Sequence, residues 1–269
     1  MKNERTAEDC ALIRISFARF AVTTVCLPSI SLLLCFFSGV LFQFYDVNET
    51  VCNVTNFIPS ISAVTGITPQ RYLWRICIAL HCTPRFAVAF MYFNMYKGFL
   101  QSIKKEHQNL FLTLIKVNFW LNIMENSSLI GVTYISNKEN YPIHEKIFIV
   151  FMATSLCYML LNTILFRWTR DKVTEADEKS FKWKVLMFCS IMVATAGLLF
   201  FFVKHRFHCE PLAFSWFSLC EYVIAYTNMG FHMTAAYDFR NVTFYACTPA
   251  VYSTLPINGM LVNNNKKQR

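Results

Sequence analysis

The stretch Phe17-Ala-Arg-Phe-Ala-Val-Thr-Thr-Val-Cys-Leu-Pro-Ser-Ile-Ser-Leu-Leu-Leu-Cys-Phe-Phe-Ser-Gly-Val-Leu-Phe-Gln-Phe44 contains one charged side chain, Arg19. A helix on the surface of a soluble protein shows a polar face every three or four residues. This one shows none, and it exceeds the ~20 residues that cross a bilayer core. It is too long for a signal-peptide h-region and no small-x-small cleavage site follows, so it reads as a retained membrane anchor. Five more apolar blocks follow, roughly Tyr72–Tyr96, Asn109–Ile135, Lys146–Phe166, Val185–Val203 and Leu212–Ala236.

The composition agrees. The chain is 55% hydrophobic and 15% charged, against about 25% charged in soluble domains, and its mean hydropathy is +0.37. A water-soluble enzyme and a nucleic-acid binder are both excluded by this balance. The expected fold class is all-α: a polytopic membrane protein with a bundle of six transmembrane helices. No repeat, heptad run or Gly/Ser linker divides it. The reading is one domain over residues 1–240 with short loops, then a tail over 241–269. Those loops are too short to fold around a core of their own, so any chemistry sits among the helices or at their ends.

Six spans place both termini on one side, and the distribution of basic residues chooses the side. Lys2, Arg5, Arg14, Arg19, Lys97, Lys104, Lys105, Arg167, Arg170, Lys172, Lys179, Lys182, Lys184, Arg240, Lys266, Lys267 and Arg269 fall on one face, 17 of the 25 basic residues. Arg71, Lys138, Lys146, Lys204 and Arg206 fall on the other, which is five. Both termini are therefore expected in the cytosol, and the net charge of +9 is a topology signal. The sequons at Asn48 and Asn53 then lie in the lumen, where glycosylation occurs; those at Asn126 and Asn241 do not. Lys266-Lys267 near the C-terminus reads either as a retrieval address or as an ordinary solvated tail. Of 11 cysteines, only Cys52 and Cys209 fall in lumenal loops, and an oxidising lumen favours a bridge between them.

Ionisable residues inside a bilayer are costly and mark a pair, a pathway or a site. Span two carries Arg75, His81 and Arg85; span three Asn118, Asn122, Glu125 and Asn126; span four Ser155, Tyr158 and Asn162; span six Glu221, Asn228 and His232. Spans one and five carry nothing comparable, which places spans two, three, four and six together and leaves the other two towards lipid. Arg71, Arg75, Cys82 and Arg85 share one helical face. Arg75 and Arg85 formally balance Glu125 and Glu221, so all four can pair. His81, Glu125, Ser155 and Glu221 lie at one depth, about 15 Å from the lumenal ends at the helical rise. Pro84 is expected to kink span two beside this layer. His81, Glu125 and Glu221 are expected to face a shared cavity open to the lumenal leaflet, with Arg75 at its mouth. Such a layer can equally be glue between helices, and the residues alone leave both readings open. No Gly-rich phosphate loop, nucleophile elbow or closed metal site is present, so neither metal nor soluble cofactor is expected.

Several stretches carry a resemblance: Pro69-Gln-Arg-Tyr-Leu-Trp-Arg-Ile-Cys-Ile-Ala-Leu-His-Cys-Thr-Pro-Arg-Phe86, Asn118-Phe-Trp-Leu-Asn-Ile-Met-Glu-Asn126, Ile143-His-Glu145, and Thr227-Asn-Met-Gly-Phe-His-Met-Thr234 with Asp238. They resemble the post-GPI-attachment-to-proteins factor 2 family, in the wider group that includes the DRAM and Sfk1 membrane proteins. The resemblance runs from span one to Asp238. It implies Golgi and endoplasmic reticulum membranes and fatty-acid remodelling of glycosylphosphatidylinositol (GPI) anchors, at reacylation of the lyso-form with a saturated chain. The implied partners are membrane lipids, GPI-anchored proteins and other GPI-remodelling proteins. The family's motif positions fall on Arg71, Arg75, His81, Arg85, Asn122, Glu125, His144, Glu145, Asn228, His232 and Asp238. At Tyr158 some members carry His; if that His is the family's proton carrier, this chain is a poor enzyme or His81 serves instead.

An acyltransferase needs a base and a stabiliser of the developing oxyanion. His81 with Glu125 or Glu221 is the expected catalytic set. Arg71, Arg75, Arg85, Asn122, Asn228 and His232 are the expected substrate contacts, with Arg71 or Arg75 holding the inositol phosphate. A non-catalytic protein that presents the anchor lipid to a separate enzyme, or a lipid transporter, would use the same stripe.

Overall fold

The computed structural model describes residues 11–50, 52–170 and 173–247; Lys266 and Lys267 lie outside them. The long helices are α1 (Phe17–Phe42), α4 (Gln70–Gly98), α5 (Gln108–Tyr134), α6 (Asn137–Trp168), α7 (Glu175–His208) and α8 (Ala213–Met233). Short helices α2 (Phe44–Asn48), α3 (Ile61–Gly66) and α9 (Ala235–Asp238) fill the ends. Among the described residues, α1, α4 with the turn after it, α6 and α7 are long and apolar enough to cross a membrane. The chain is a multi-pass, all-α membrane protein. α5 and α8 have 27 and 21 residues, enough for about 30 Å or more at the helical rise. Their average apolarity falls short because their buried stripes are polar.

In α1, α5 and α7 a buried stripe recurs every 3.5 residues on average. In α1 it is Ala21, Val25, Pro28, Leu32, Cys35 and Gly39. In α7 it is Asp177, Ser180, Lys184, Ile191, Ala194 and Leu198. In α5 it is Phe111, Ile115, Asn118, Asn122 and Glu125. A 3.5-residue repeat is the signature of shallow helix crossing. The outward faces carry large apolar side chains such as Trp120, Leu199 and Phe200, which suits a lipid solvent. Small residues set the closest approaches. A Cβ on Gly197 would stand 2.9 Å from Cys220 Sγ, and one on Gly230 would stand 2.9 Å from Met187 Sδ, both between α7 and α8.

The contacts close a ring: α1 on α4, α4 on α5, α5 on α6, α6 on α7, α7 on α8, and α8 back on α1. Spans one and five are thus full members of the bundle rather than a lipid-side annex. Packing completes the ring where polarity gave no hint. α4 runs through Pro84 as one helix. The break comes in α6 instead, where Asn140 leaves helical geometry (φ −155°, ψ 89°) just before Pro142. The first turn of α6 is capped reciprocally by Ser136 and Glu139.

The two ends of the bundle differ. At one end β1 (Ala11–Ser16) pairs antiparallel with β2 (Thr243–Cys247). The residues read as a tail therefore begin with a strand that ties the two ends of the described chain together. At the other end Cys52 is bonded to Cys209, with Cα atoms 5.4 Å apart. This joins the α2–α3 loop to the α7–α8 loop across 157 residues of sequence. Asn53, exposed in left-handed backbone at φ 53°, and Asn48, half-buried, lie at the same end. Peptide mapping without reduction is expected to recover Cys52 linked to Cys209, and Cys52→Ser to lower unfolding free energy by about 2–4 kcal/mol. Two free thiols would contradict the fold at this end.

Candidate functional site

Glu125 is fully buried at the centre of the bundle. Its Oε1 lies 3.2 Å from Arg85 Nη2 and 2.9 Å from His232 Nε2, and accepts from Asn228 Nδ2 at 2.7 Å. Arg85 Nη2 is also 2.6 Å from His232 Nε2. One imidazole nitrogen cannot accept from Arg85 and donate to Glu125 at once. The proton on His232 therefore decides which neighbour it serves. Tyr158 stacks on the His232 ring at 5.5 Å and 6°, and Asn228 Nδ2 also donates to Ser155 Oγ at 2.7 Å. Helices α4, α5, α6 and α8 thus meet at one carboxylate. The side-chain oxygens of Asn118 and Asn122, and Arg85 Nε and Nη1, have no partner among the described residues.

The expected charge pairing is corrected here. Arg85 pairs with Glu125, but Arg75 does not pair with Glu221. Arg75 Nη2 lies 2.7 Å from Glu139 and donates to the Tyr134 carbonyl at 2.8 Å. Arg71 reaches the same Glu139 at 3.5 Å. Glu139, in the first turn of α6 at the disulfide end, captures both guanidiniums because the helices end there, where ion pairs are better solvated. Asn126 is buried, donating to the Cys82 carbonyl at 2.9 Å.

Next to this cluster is a cavity of about 100 Å³. Its walls are mostly apolar, including Trp74, Ile78 and Leu129, and its polar lining is His81, His144, Glu221, Asn228, Thr133 and the hydroxyls of α3. Glu125 is not part of that lining and reaches the cavity through Asn228. The shared cavity therefore holds His81 and Glu221, with the third expected member one residue behind the wall. Arg75 is not part of the lining; its Nε is 3.4 Å from the backbone carbonyl of Thr133, which is.

Two backbone carbonyls orient the cavity's histidines. His81 Nδ1 is 2.9 Å from the Thr24 carbonyl, and His144 Nδ1 is 2.7 Å from the Ile135 carbonyl. A carbonyl only accepts, so Nδ1 carries the proton in each ring and Nε2 is the basic nitrogen of the neutral form. His81 makes no hydrogen bond to either expected carboxylate partner. The Thr24 carbonyl on α1 does that work, and nothing in the sequence singles out a backbone group. Glu221 Oε2 accepts from the Ile61 backbone N–H at 2.8 Å, holding the start of α3.

A second buried ion pair lies at the strand end. Lys184 Nζ is 2.6 Å from Asp238 Oδ2, and both side chains are fully buried. Ser180 and Tyr92 donate to the same carboxylate, and Lys184 also donates to Ser180 and Thr234. The basic-residue count places Lys184 only among the charges of the cytosolic face, with no partner named. Its place in the stripe Ser180, Lys184, Ile191, with an acid just past α8, was the signal available.

Residues 16–242 match the Frag1/DRAM/Sfk1/Cwh43P N-terminal domain. The chain belongs to this family. It is 51% identical over 231 residues to a Drosophila melanogaster protein named post-GPI attachment to proteins factor 2-like, covering 83% of this chain and 70% of that one. It is 38% identical over 241 residues to acyltransferase PGAP2 of Xenopus tropicalis, covering 89% and 94% of the two chains. Against post-GPI attachment to proteins factor 2 of Drosophila melanogaster it is 35% identical over 230 residues, 85% and 88% of the two chains. No solved structure matches. The family match begins before α1 and ends after α9, so both buried ion pairs and the cavity fall within it.

Removing one partner of a buried ion pair leaves an uncompensated charge and costs about 3–5 kcal/mol. Lys184→Met is expected to lose that much in unfolding of the purified protein, with part of the loss recovered in Lys184→Met/Asp238→Leu. A single variant as stable as the wild type would contradict the pair.

Proposed function

We propose that this chain acts on the lipid part of GPI anchors, reacylating the lyso-form with a saturated chain in Golgi and endoplasmic reticulum membranes. The observation that carries the reading is a mostly apolar cavity lined by a histidine whose Nδ1 is fixed on a backbone carbonyl, leaving Nε2 as its base. The names of the relatives, post-GPI attachment to proteins factor 2 and acyltransferase PGAP2, supply the substrate class. The basic split supports six spans with both termini cytosolic. The disulfide end, with Asn48 and Asn53 as glycosylation sites, is then lumenal, as is the cavity's rim.

In this reading the free glycerol hydroxyl of the lyso-lipid sits at His81. Its oxygen attacks the carbonyl carbon of an acyl ester or thioester donor, and Nε2 takes the hydroxyl proton. The new ester C–O bond forms as the donor's C–O or C–S bond breaks, and the proton passes to the departing oxygen or sulfur. Thr133, whose hydroxyl has no partner among the described residues, can donate to the developing oxyanion. Arg71 and Arg75, held by Glu139 at the rim, suit the inositol phosphate. The group around Glu125 fixes the helices that form the cavity; its carboxylate is a positioning group, joined to the wall by Asn228.

One observation favours a second reading. Among the described residues no carboxylate is hydrogen-bonded to His81, as suits a protein that binds the anchor lipid and hands it on without chemistry. Purified protein in nanodiscs with lyso-GPI and an isotope-labelled acyl donor separates the two. Transfer is expected in the wild type and should fall by about 10²-fold or more in His81→Asn, with unchanged thermal unfolding. Binding without transfer in the wild type, or full activity in His81→Asn, would overturn the proposal.

A further inference from the structure

Among the described residues, the buried carboxylates outside the cavity all have cations. Glu125 has Arg85, Asp238 has Lys184, and Asp177 has Arg170 and Arg240. Arg71 and Arg75 belong to Glu139. Glu221 is the exception. It is 8% exposed, lines the cavity, and its one hydrogen bond comes from the neutral Ile61 N–H to Oε2. Among the described residues no hydrogen bond or ion pair reaches its Oε1, and the walls around it are mostly apolar. A carboxylate taken out of water requires either a proton or a cation.

We infer that Glu221 is the counter-charge for an ammonium group of a bound lipid, so that the cavity takes an amine-bearing or choline-bearing headgroup. The surroundings suit that chemistry. Trp74 lines the same cavity, and aromatic faces with a carboxylate are how proteins hold ammonium cations when water is excluded. His81 and His144 each spend Nδ1–H on a backbone carbonyl, so in their neutral forms they bring no positive charge to compete for Glu221. Ile61 N–H fixes one carboxylate oxygen and leaves the other for the ligand. That bond also ties the headgroup to α3, whose residues Ile61, Ser62 and Thr65 form part of the cavity wall. This inference rests on the reading of the cavity as a lipid site and not on acyl transfer.

The test uses the full chain in detergent and lysolipids that share one acyl chain. Lysophosphatidylcholine and lysophosphatidylethanolamine carry the ammonium. Lysophosphatidylglycerol lacks it, and a 3,3-dimethylbutyl phosphate lysolipid replaces the choline nitrogen by carbon. Wild-type protein is expected to bind the first two about tenfold more tightly than the last two, a difference of about 1.4 kcal/mol. Glu221→Gln keeps an acceptor for Ile61 N–H but cannot balance an ammonium; it should bind all four alike, at the level of the uncharged isostere. Equal binding of all four by the wild type overturns the inference, and so does a preference that survives in Glu221→Gln. Because the isostere comparison needs only wild-type protein, a poorly folding variant does not remove the test. Failure of the labelled-donor transfer assay would leave this preference standing, so the two readings fail separately.

Discussion

A carboxylate with no access to water organises this bundle. Glu125 has to meet positive charge and hydrogen-bond donors or it would destabilise the fold by several kcal/mol. Arg85 on α4, His232 and Asn228 on α8, and through Asn228 also Ser155 on α6, supply them. Each of those contacts fixes how far its helix is rotated about its own axis. Once the polar stripe of each helix points inward, the large apolar side chains face lipid, where they cost nothing. The cavity is a by-product of that choice, since Asn228 serves Glu125 on one side and lines the cavity on the other.

Much of this was legible in the sequence, for a physical reason. A membrane span is long and apolar, and the residues that break the apolar run must turn inward. His81, Arg85, Glu125, Asn228 and His232 could therefore be assigned to the interior before any coordinates. Cys52 and Cys209 stood apart from the other cysteines for a similar reason. Which charge pairs with which was not legible. Helical spacing gives the face of a helix but not its height against a neighbour. It also ignores acids at helix ends such as Glu139, which holds both Arg71 and Arg75. The buried stripes of α1 and α7 were hidden because, beside lipid, the inward and outward faces are both apolar. The β1–β2 pair escaped notice because short strands carry little pattern, and the carbonyls that orient His81 and His144 carry none.

The two ends of the molecule divide the work. At the strand end Lys184, Asp238, Ser180, Thr234 and Tyr92 form a buried polar knot in which Lys184, Ser180 and Tyr92 all donate to the Asp238 carboxylate and the Thr234 hydroxyl, which accepts from Lys184, donates to the Phe231 carbonyl. It clamps α4 and α7 to the α8–α9 corner. At the disulfide end the polar groups are looser: a carboxylate with no cation, two imidazoles with a basic nitrogen to spare, and a hydroxyl without a partner. Polar groups left open around an apolar cavity are what a ligand completes, which is the basis of the function proposed above.

The most direct measurement is an experimental structure of the purified protein with a lyso-phosphoinositide soaked or co-reconstituted. The account predicts the polar end of the lipid in the cavity between α1, α3, α4, α5, α6 and α8, with the glycerol hydroxyl within hydrogen-bond distance of His81 Nε2. Lipid bound only on the outer, lipid-facing surface, with the cavity closed and His81 far from any hydroxyl, would contradict it.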